Sequence, residues 1–312
     1  MKNNSFFVQN QAREDFNKAR SRATISQLLN TLTPERQRLL SLEDVRNLLK
    51  PKKESYKGMQ SVPIDKIVGS EGRYNDFTSA FLPKRDFIRG RWESVDRAHL
   101  SDIILPAIKL YEIGGVYFVR DGNHRVSVAR MQGTEAIDAE VIELDSEIPL
   151  KPGMTVSDLK DAVIDYEKKK VFNDTQLDTI VPPEEIVFSE PGRYVEMLRH
   201  IQGHKYFLNQ GSEEEISFLD AASSWYNNLY KPIVRIIEQE NIISRFPGRT
   251  MADLYMWIIK HWDGLKNKYG NNFSLKVAAL DYSEKFGNSL WEQFKGFLRS
   301  LSGSLFGSLF RR

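Results

Sequence analysis

Residues 116–130, VYFVRDGNHRVSVAR, constrain the fold more than any other stretch of the chain. Val116, Tyr117, Phe118 and Val119 are β-branched or aromatic, as strand residues are. Asp121, Gly122 and Asn123 then supply turn chemistry. A short helix is expected from about His124 to Met131, with Gly133 as its stop. A strand that feeds a helix through a tight glycine turn leaves the helix N-terminus open at the strand end. Backbone N–H groups there lack internal partners and sit at the positive end of the helix dipole, so they bind phosphate.

The side chains of the turn extend that chemistry. Arg125 carries a planar fork that grips phosphate oxygens in pairs, His124 is a further donor, and Arg120 arrives at the strand end. Asp121 repels phosphate, so beside such a site it reads as a magnesium ligand or a general base. Asn123 caps the helix or contacts the ligand. The alternative is structural: Asp121 or Asn123 caps the helix while Arg125 pairs with a carboxylate. A five-residue motif needs context, and here a strand precedes it, a helix follows, and another strand follows the helix.

That context is an α+β domain over residues 56–150. Residues 62–68, VPIDKIV, alternate and are expected as one strand ending at Gly69. Residues 92–102 read as helix. Residues 107–111 and 116–119 read as two short strands around Gly114-Gly115, a pair suited to a hairpin turn that needs positive φ. Residues 136–144 put Ile137, Ala139 and Val141 on one strand face. The segment from Arg73 to Trp92 has no clear pattern, though Arg73, Tyr74, Lys84 and Arg85 within it are candidates to close over a ligand.

An N-terminal helical segment, residues 1–55, precedes this domain. Phe16, Ala19, Ala23, Leu28, Leu29 and Leu32 recur at helical spacing until Thr33-Pro34 breaks the run. Ser41 with Asp44 forms the start of a second short helix, and Lys50-Pro51-Lys52-Lys53 reads as a linker. Residues 151–288 are mainly helical. Trp225, Tyr226, Tyr230, Tyr255, Trp257 and Trp262 recur near helical spacing there and read as core rather than as a base-stacking platform. Thr250 with Asp253 should cap a helix running to about Tyr269, with Gly270 as its stop. His200 and His204 lie four apart, but no carboxylate completes a zinc pattern. Residues 289–312 form an amphipathic tail opened by Ser289 and Glu292, a candidate contact for a partner or a membrane surface. The motif Val62-Pro63 to Arg73-Tyr74 is echoed at Val181-Pro182 to Arg193-Tyr194, too briefly to establish a repeat.

Composition narrows the function classes. Lys and Arg number 44 against 42 Asp and Glu, a formal net charge of +2, so bulk charge does not draw the chain to nucleic acid. There is no cysteine, which excludes disulfides, a thiolate nucleophile and cysteine-ligated zinc. The first residues lack the apolar core of a secretory signal, and no apolar run approaches about 18 residues. A cytoplasmic protein is the expectation.

Gly122-Asn123-His124-Arg125 and its flanks resemble the ParB/sulfiredoxin superfamily over about residues 60–146. The turn is similar to the Gly-Cys-His-Arg phosphate turn of sulfiredoxins and the Gly-Glu-Arg-Arg box of ParB nucleotide sites. It is closer still to the Asp-Gly-His-His-Arg turn of ParB-like free serine kinases. The segments GSEGRYNDF, FLPKRD, FVRDGNHRVSVAR and FPGRTMADLYMWIIKH resemble a bacterial family of ParB-like proteins over the whole chain. The resemblance implies a bound nucleotide (ATP, ADP or CTP) with Mg²⁺. It implies NTP hydrolysis or phosphoryl transfer to a small-molecule substrate, or else a DNA-associated regulator with nucleotide as its switch. The near-neutral charge disfavours DNA, and self-association into a homo-oligomer stays open. Asn123 replaces the sulfiredoxin cysteine, which excludes sulfinic-acid reduction by that route. His124 replaces the first arginine of the ParB box. Glu71 stands near the catalytic glutamate of the kinases and is the candidate base.

Overall fold

The computed structural model describes residues 2–29, 34–210, 214–270 and 274–287, and the chain divides into two compact units, Met1–Val163 and Ile164–Arg312. The fold is mixed α+β, with a six-stranded mixed sheet in the first unit. No helix among the described residues is long and apolar enough to cross a membrane.

The first unit opens with α1 (Lys2–Leu29). Ala12, Phe16, Ala19 and Ala23 recur at spacings of four, three and four and are fully buried, which is one stripe of a 3.6-residue helix. The face is shifted from the expected one. Leu28 and Leu29 are exposed, and Leu32 lies outside the described residues. The chain resumes as a turn of 3₁₀ helix (Pro34–Gln37), strand β1 (Leu40–Ser41) and helix α2 (Leu42–Leu49). Ser41 stands at the N-cap of α2, but its hydroxyl makes no capping bond. Because β1 is a strand of the sheet, residues 1–55 share one unit with the domain that follows them.

Strands β2 (Glu54–Pro63) and β3 (Ile67–Ser70), helix α3 (Arg89–Leu100), hairpin strands β4 (Ile108–Ile113) and β5 (Val116–Asp121), helix α4 (Asn123–Met131) and strand β6 (Ala136–Leu144) complete the unit. The sheet order is β1-β3-β5-β4-β6-β2. Strands β1, β3 and β5 are parallel; β4 is antiparallel to β5 and parallel to β6; β2 is antiparallel to β6. Gly114 and Gly115 turn the hairpin at φ +60 and +89, as expected of a glycine pair.

Residues 62–68 are not one strand. β2 ends at Pro63, a 3₁₀ turn takes up Ile64–Lys66, and β3 begins at Ile67 on the far side of the sheet. Pro63 has no N–H for a ladder and its φ is locked, so the chain turns there. Arg130 of α4 holds the corner: its Nη2 donates to Ile64 O at 2.8 Å and to Ile67 O at 2.6 Å. The alternation in the sequence is real, since Val62 and Ile64 are both buried, but it spans a corner instead of one strand.

The topology places the carboxyl ends of three parallel strands along one edge, which is where open α/β sheets bind ligands. Buried contacts hold α4 at that edge. Trp92 of α3 donates from Nε1 to Ser127 Oγ of α4 at 2.8 Å, and Ser127 Oγ donates to Phe81 O at 2.6 Å. Phe16 of α1 meets the Trp92 ring edge-on at 5.5 Å. Helix α4 is therefore pinned by the core, and its N-terminus is presented rather than free to drift.

The second unit is helical. It includes most of α5 (Val156–Thr175), then α6 (Arg193–Leu208), α7 (Phe218–Trp225), a π turn (Tyr226–Tyr230), α8 (Lys231–Gln239), α9 (Met251–Tyr269) and α10 (Leu275–Phe286). Trp225, Tyr226, Tyr230 and Tyr255 are buried in its core, as their spacing predicts. Thr250 and Asp253 form a reciprocal capping box at the start of α9. The Val-Pro echo has a backbone counterpart: Pro63 (φ −58, ψ 128) and Pro182 (φ −56, ψ 122) both lead into a three-residue 3₁₀ turn. The segments then diverge, since β3 enters a sheet and residues 186–189 do not. The tail at 289–312 lies outside the described residues.

Candidate functional site

Gly122 makes the turn after β5. Its φ is +112, and a Cβ there would stand 2.4 Å from Ile108 Cγ2, so both backbone and space demand glycine. It is also the N-cap of α4, where it brings no side-chain oxygen to the open N–H groups. Val126 N–H is the first in the helix to find a backbone partner, at Gly122 O, 3.0 Å away. The N–H groups of Asn123, His124 and Arg125, at the start of the helix, have no acceptor among the described residues.

That cavity has a volume of about 560 Å³. The turn supplies one wall, from Arg120 to Arg125; Gly72 and Arg73 from the loop after β3, and Arg91 and Val95 from α3, supply the other. Seven of the expected site residues are thus brought together: Arg73, Arg120, Asp121, Gly122, Asn123, His124 and Arg125. Glu71 is not. Its N–H is tied to Val119 O at 3.0 Å, and its side chain is exposed outside the cavity lining. Tyr74 lines a different cavity with Ser41 and Arg38, while Lys84 and Arg85 line neither.

Arg125 is positioned as a brace. Its Nη2 donates to Asp121 Oδ2 at 2.5 Å, and its Nη1 donates to Pro106 O and to Ala107 O. The fork that the sequence assigns to phosphate is therefore engaged with the β4 approach and with Asp121. Arg91 and Arg120 have no carboxylate partner among the described residues, and the Arg120 guanidinium lies over the Tyr111 ring, 5.6 Å from its centroid. Arg73 lies 3.5 Å from Asp76. Arg91 was the residue missed by sequence reasoning. It falls in a patternless stretch, and only the packing of Trp92, one residue on, turns it toward the turn.

Two polar atoms in the turn are buried without a partner, Asn123 Oδ1 and His124 Nδ1. Asn123 is 7% exposed, and unpaired buried polar groups are rare enough to need a reason. The His124 ring packs edge-on against Phe77 at 5.6 Å. Burial, then the Arg73 and Arg91 guanidinium groups, push its imidazole down to about 4, so it is neutral at pH 7. Asp121 is well exposed, and its Oδ1 makes no hydrogen bond among the described residues.

Magnesium fits this donor set in a limited way. No group of three His, Asp or Glu side chains is gathered among the described residues. Asp121 supplies one carboxylate oxygen, which suffices for Mg²⁺ only when phosphate oxygens and water complete the shell. In the second unit, His200 Nδ1 is bonded to Tyr255 OH at 2.8 Å and His204 Nε2 to Ser224 Oγ at 3.0 Å. That pair serves packing.

Set against family models, curated proteins and solved structures, the chain gives no match in any of the three comparisons.

Proposed function

We propose that the first unit is a ParB/sulfiredoxin-like nucleotide-binding domain, and that its DGNHR turn holds the phosphates of ATP, ADP or CTP with Mg²⁺. One observation carries this reading. The N-terminus of α4 borders a cavity lined by Arg73, Arg91, Arg120 and Arg125. An anion there gains three backbone N–H donors, the helix dipole and the charge of Arg91 and Arg120. The order of strand, helix, hairpin, turn, helix and closing strand around a mixed sheet supports the fold assignment.

Such a site suits Mg-dependent NTP hydrolysis or transfer of a phosphoryl group to a small molecule. Catalysis of this kind is mainly positioning and stabilisation of charge. Asp121 would share Mg²⁺ with the phosphates through Oδ1. The neutral His124 would donate to a phosphate oxygen or accept from a protonated one. The test is thermal denaturation of the whole chain with ATP, ADP, CTP or GTP and Mg²⁺, followed by phosphate-release assays. A rise in Tm that Arg120→Ala abolishes supports the reading, and no rise with any nucleotide overturns it.

A further inference from the structure

A second cavity adjoins the arginine-lined cleft, with a volume of about 510 Å³, within the range of small-molecule sites. The two share Val95 of α3 and Arg125 of α4 in their linings. They differ in kind. The second is walled mainly by aliphatic side chains: Ile103, Ile104 and Leu105 from the loop before β4, with Met59, Val128 and Ile137. Ile104 is 96% exposed, Met59 61% and Ile103 59%. Large aliphatic side chains left in water around one concavity and rimmed by polar groups mark a place that a ligand covers. The polar groups here are few: His99, Thr134 and Asp138 besides Arg125. The Asp138 carboxylate has no hydrogen bond or ion pair among the described residues. Arg125 couples the two cavities. Its Nη2 holds Asp121 at the turn, and its Nη1 holds the carbonyls of Pro106 and Ala107, so the loop that bears the aliphatic wall is tied to the turn.

We infer that this aliphatic cavity is the base site of the nucleotide, and that Asp138 selects a base bearing an amino group. The inference rests on the nucleotide reading above and adds what that reading leaves open, namely where the base lies and which bases are accepted. With phosphates at the start of α4, the sugar crosses Val95 and Arg125, the residues common to both linings, and the base enters beyond them. The flat faces of a base are apolar and suit aliphatic walls, while its edge needs a small number of placed polar groups. An ionised carboxylate only accepts hydrogen bonds. Adenine, cytosine and guanine each present an amino donor along the base edge. Uracil has no amino group, and its ring N–H is flanked by carbonyl oxygens that a carboxylate repels.

The experiment is isothermal titration of the full chain with ATP, CTP, GTP, UTP and inorganic triphosphate, each with Mg²⁺. At least one of ATP, CTP and GTP should bind tenfold or more tighter than both UTP and triphosphate. The double variant Ile103→Ser, Ile104→Ser, at exposed positions, should weaken that preferred nucleotide fivefold or more and leave triphosphate unchanged. Asp138→Asn should bring UTP within threefold of the preferred nucleotide, because an amide also donates to carbonyl oxygens. Triphosphate or UTP binding as tightly as the best nucleotide overturns the inference and leaves the phosphate site standing. So does a double variant that weakens nucleotide and triphosphate alike, or neither, and so does a discrimination against UTP that survives Asp138→Asn. Failure of every phosphate compound to bind removes the nucleotide reading itself, and the inference with it.

Discussion

Arg125 of α4 and Asp121 at the end of β5, four residues apart across the turn, close an ion pair at 2.5 Å. The same guanidinium group also ties down the carbonyls of Pro106 and Ala107, where the chain enters β4. A residue that looks like the phosphate grip in the sequence is, in the fold, the brace that sets the strand beside the turn. The division of labour among the arginines can be tested.

Arg125→Ala should cost more stability than affinity. It removes three hydrogen bonds, to the exposed Pro106 carbonyl, the partly buried Ala107 carbonyl and the exposed Asp121 carboxylate, together worth about 1–3 kcal/mol, or roughly 3–10 °C in Tm for a unit of this size. Arg120→Ala should cost less, about 1–3 °C, because what it loses is an exposed cation–π approach to the Tyr111 ring. Calorimetry on the two variants separates them. Equal losses of Tm would remove the bracing role.

His124 makes stability depend on pH in a defined window. Its folded pKa, about 4, lies below its ordinary value of 6.5. As pH falls from 6.5 toward 4, the unfolded chain takes up a proton that the folded one refuses, so stability contributed above 6.5 is progressively lost. His124→Gln should lessen the slope of the Tm profile across that window, leaving the share of His200 and His204, whose imidazole pKa values burial also lowers. Imidazole NMR should show His124 titrating near 4 in the free protein and higher once ATP is bound, because the anion favours imidazolium. A free-protein titration near 6.5 contradicts the burial argument.

Gly122→Ala should damage the turn from two directions. Its φ of +112 is strained for any residue with a Cβ, and the new atom would stand 2.4 Å from Ile108 Cγ2. A loss of about 2–4 kcal/mol follows from backbone strain plus overpacking. Urea denaturation measures it, and a change below about 0.5 kcal/mol would show that the turn relaxes.

Thr250→Ala tests the second unit. The reciprocal box with Asp253 satisfies open N–H groups at the start of α9, and Asp253 Oδ1 also accepts from Ser189 N–H at 3.2 Å. Losing the threonine oxygen should cost about 0.5–2 kcal/mol. Thr250→Ser should recover most of it, and denaturation of both variants checks the pairing.

Local structure was legible wherever one residue type dictates a backbone. The Gly114-Gly115 hairpin, the stop of α4 before Gly133, the Thr250 box and the close of α9 before Gly270 all follow from φ preference or capping chemistry. So did the buried aromatics of the second unit, whose spacing marks a core face. The strand at 62–68 was misread because alternation reports burial and not direction, and a corner at Pro63 alternates as a strand does. Arg91 was invisible because its neighbours carry no pattern.

By itself, then, the sequence determined that a strand meets a helix at DGNHR, that glycine must make the turn, and that thiol chemistry is excluded. These are properties of the residues and their nearest neighbours. Tertiary structure alone decided which charges face the turn. It brought Arg91 from α3 and Arg73 from the loop after β3 to the cavity, left Glu71 outside it, and engaged Arg125 with Asp121 and two carbonyls. Charge at a site depends on distances between segments far apart in the chain, and those distances are set by how the helices pack and how the strands are ordered in the sheet.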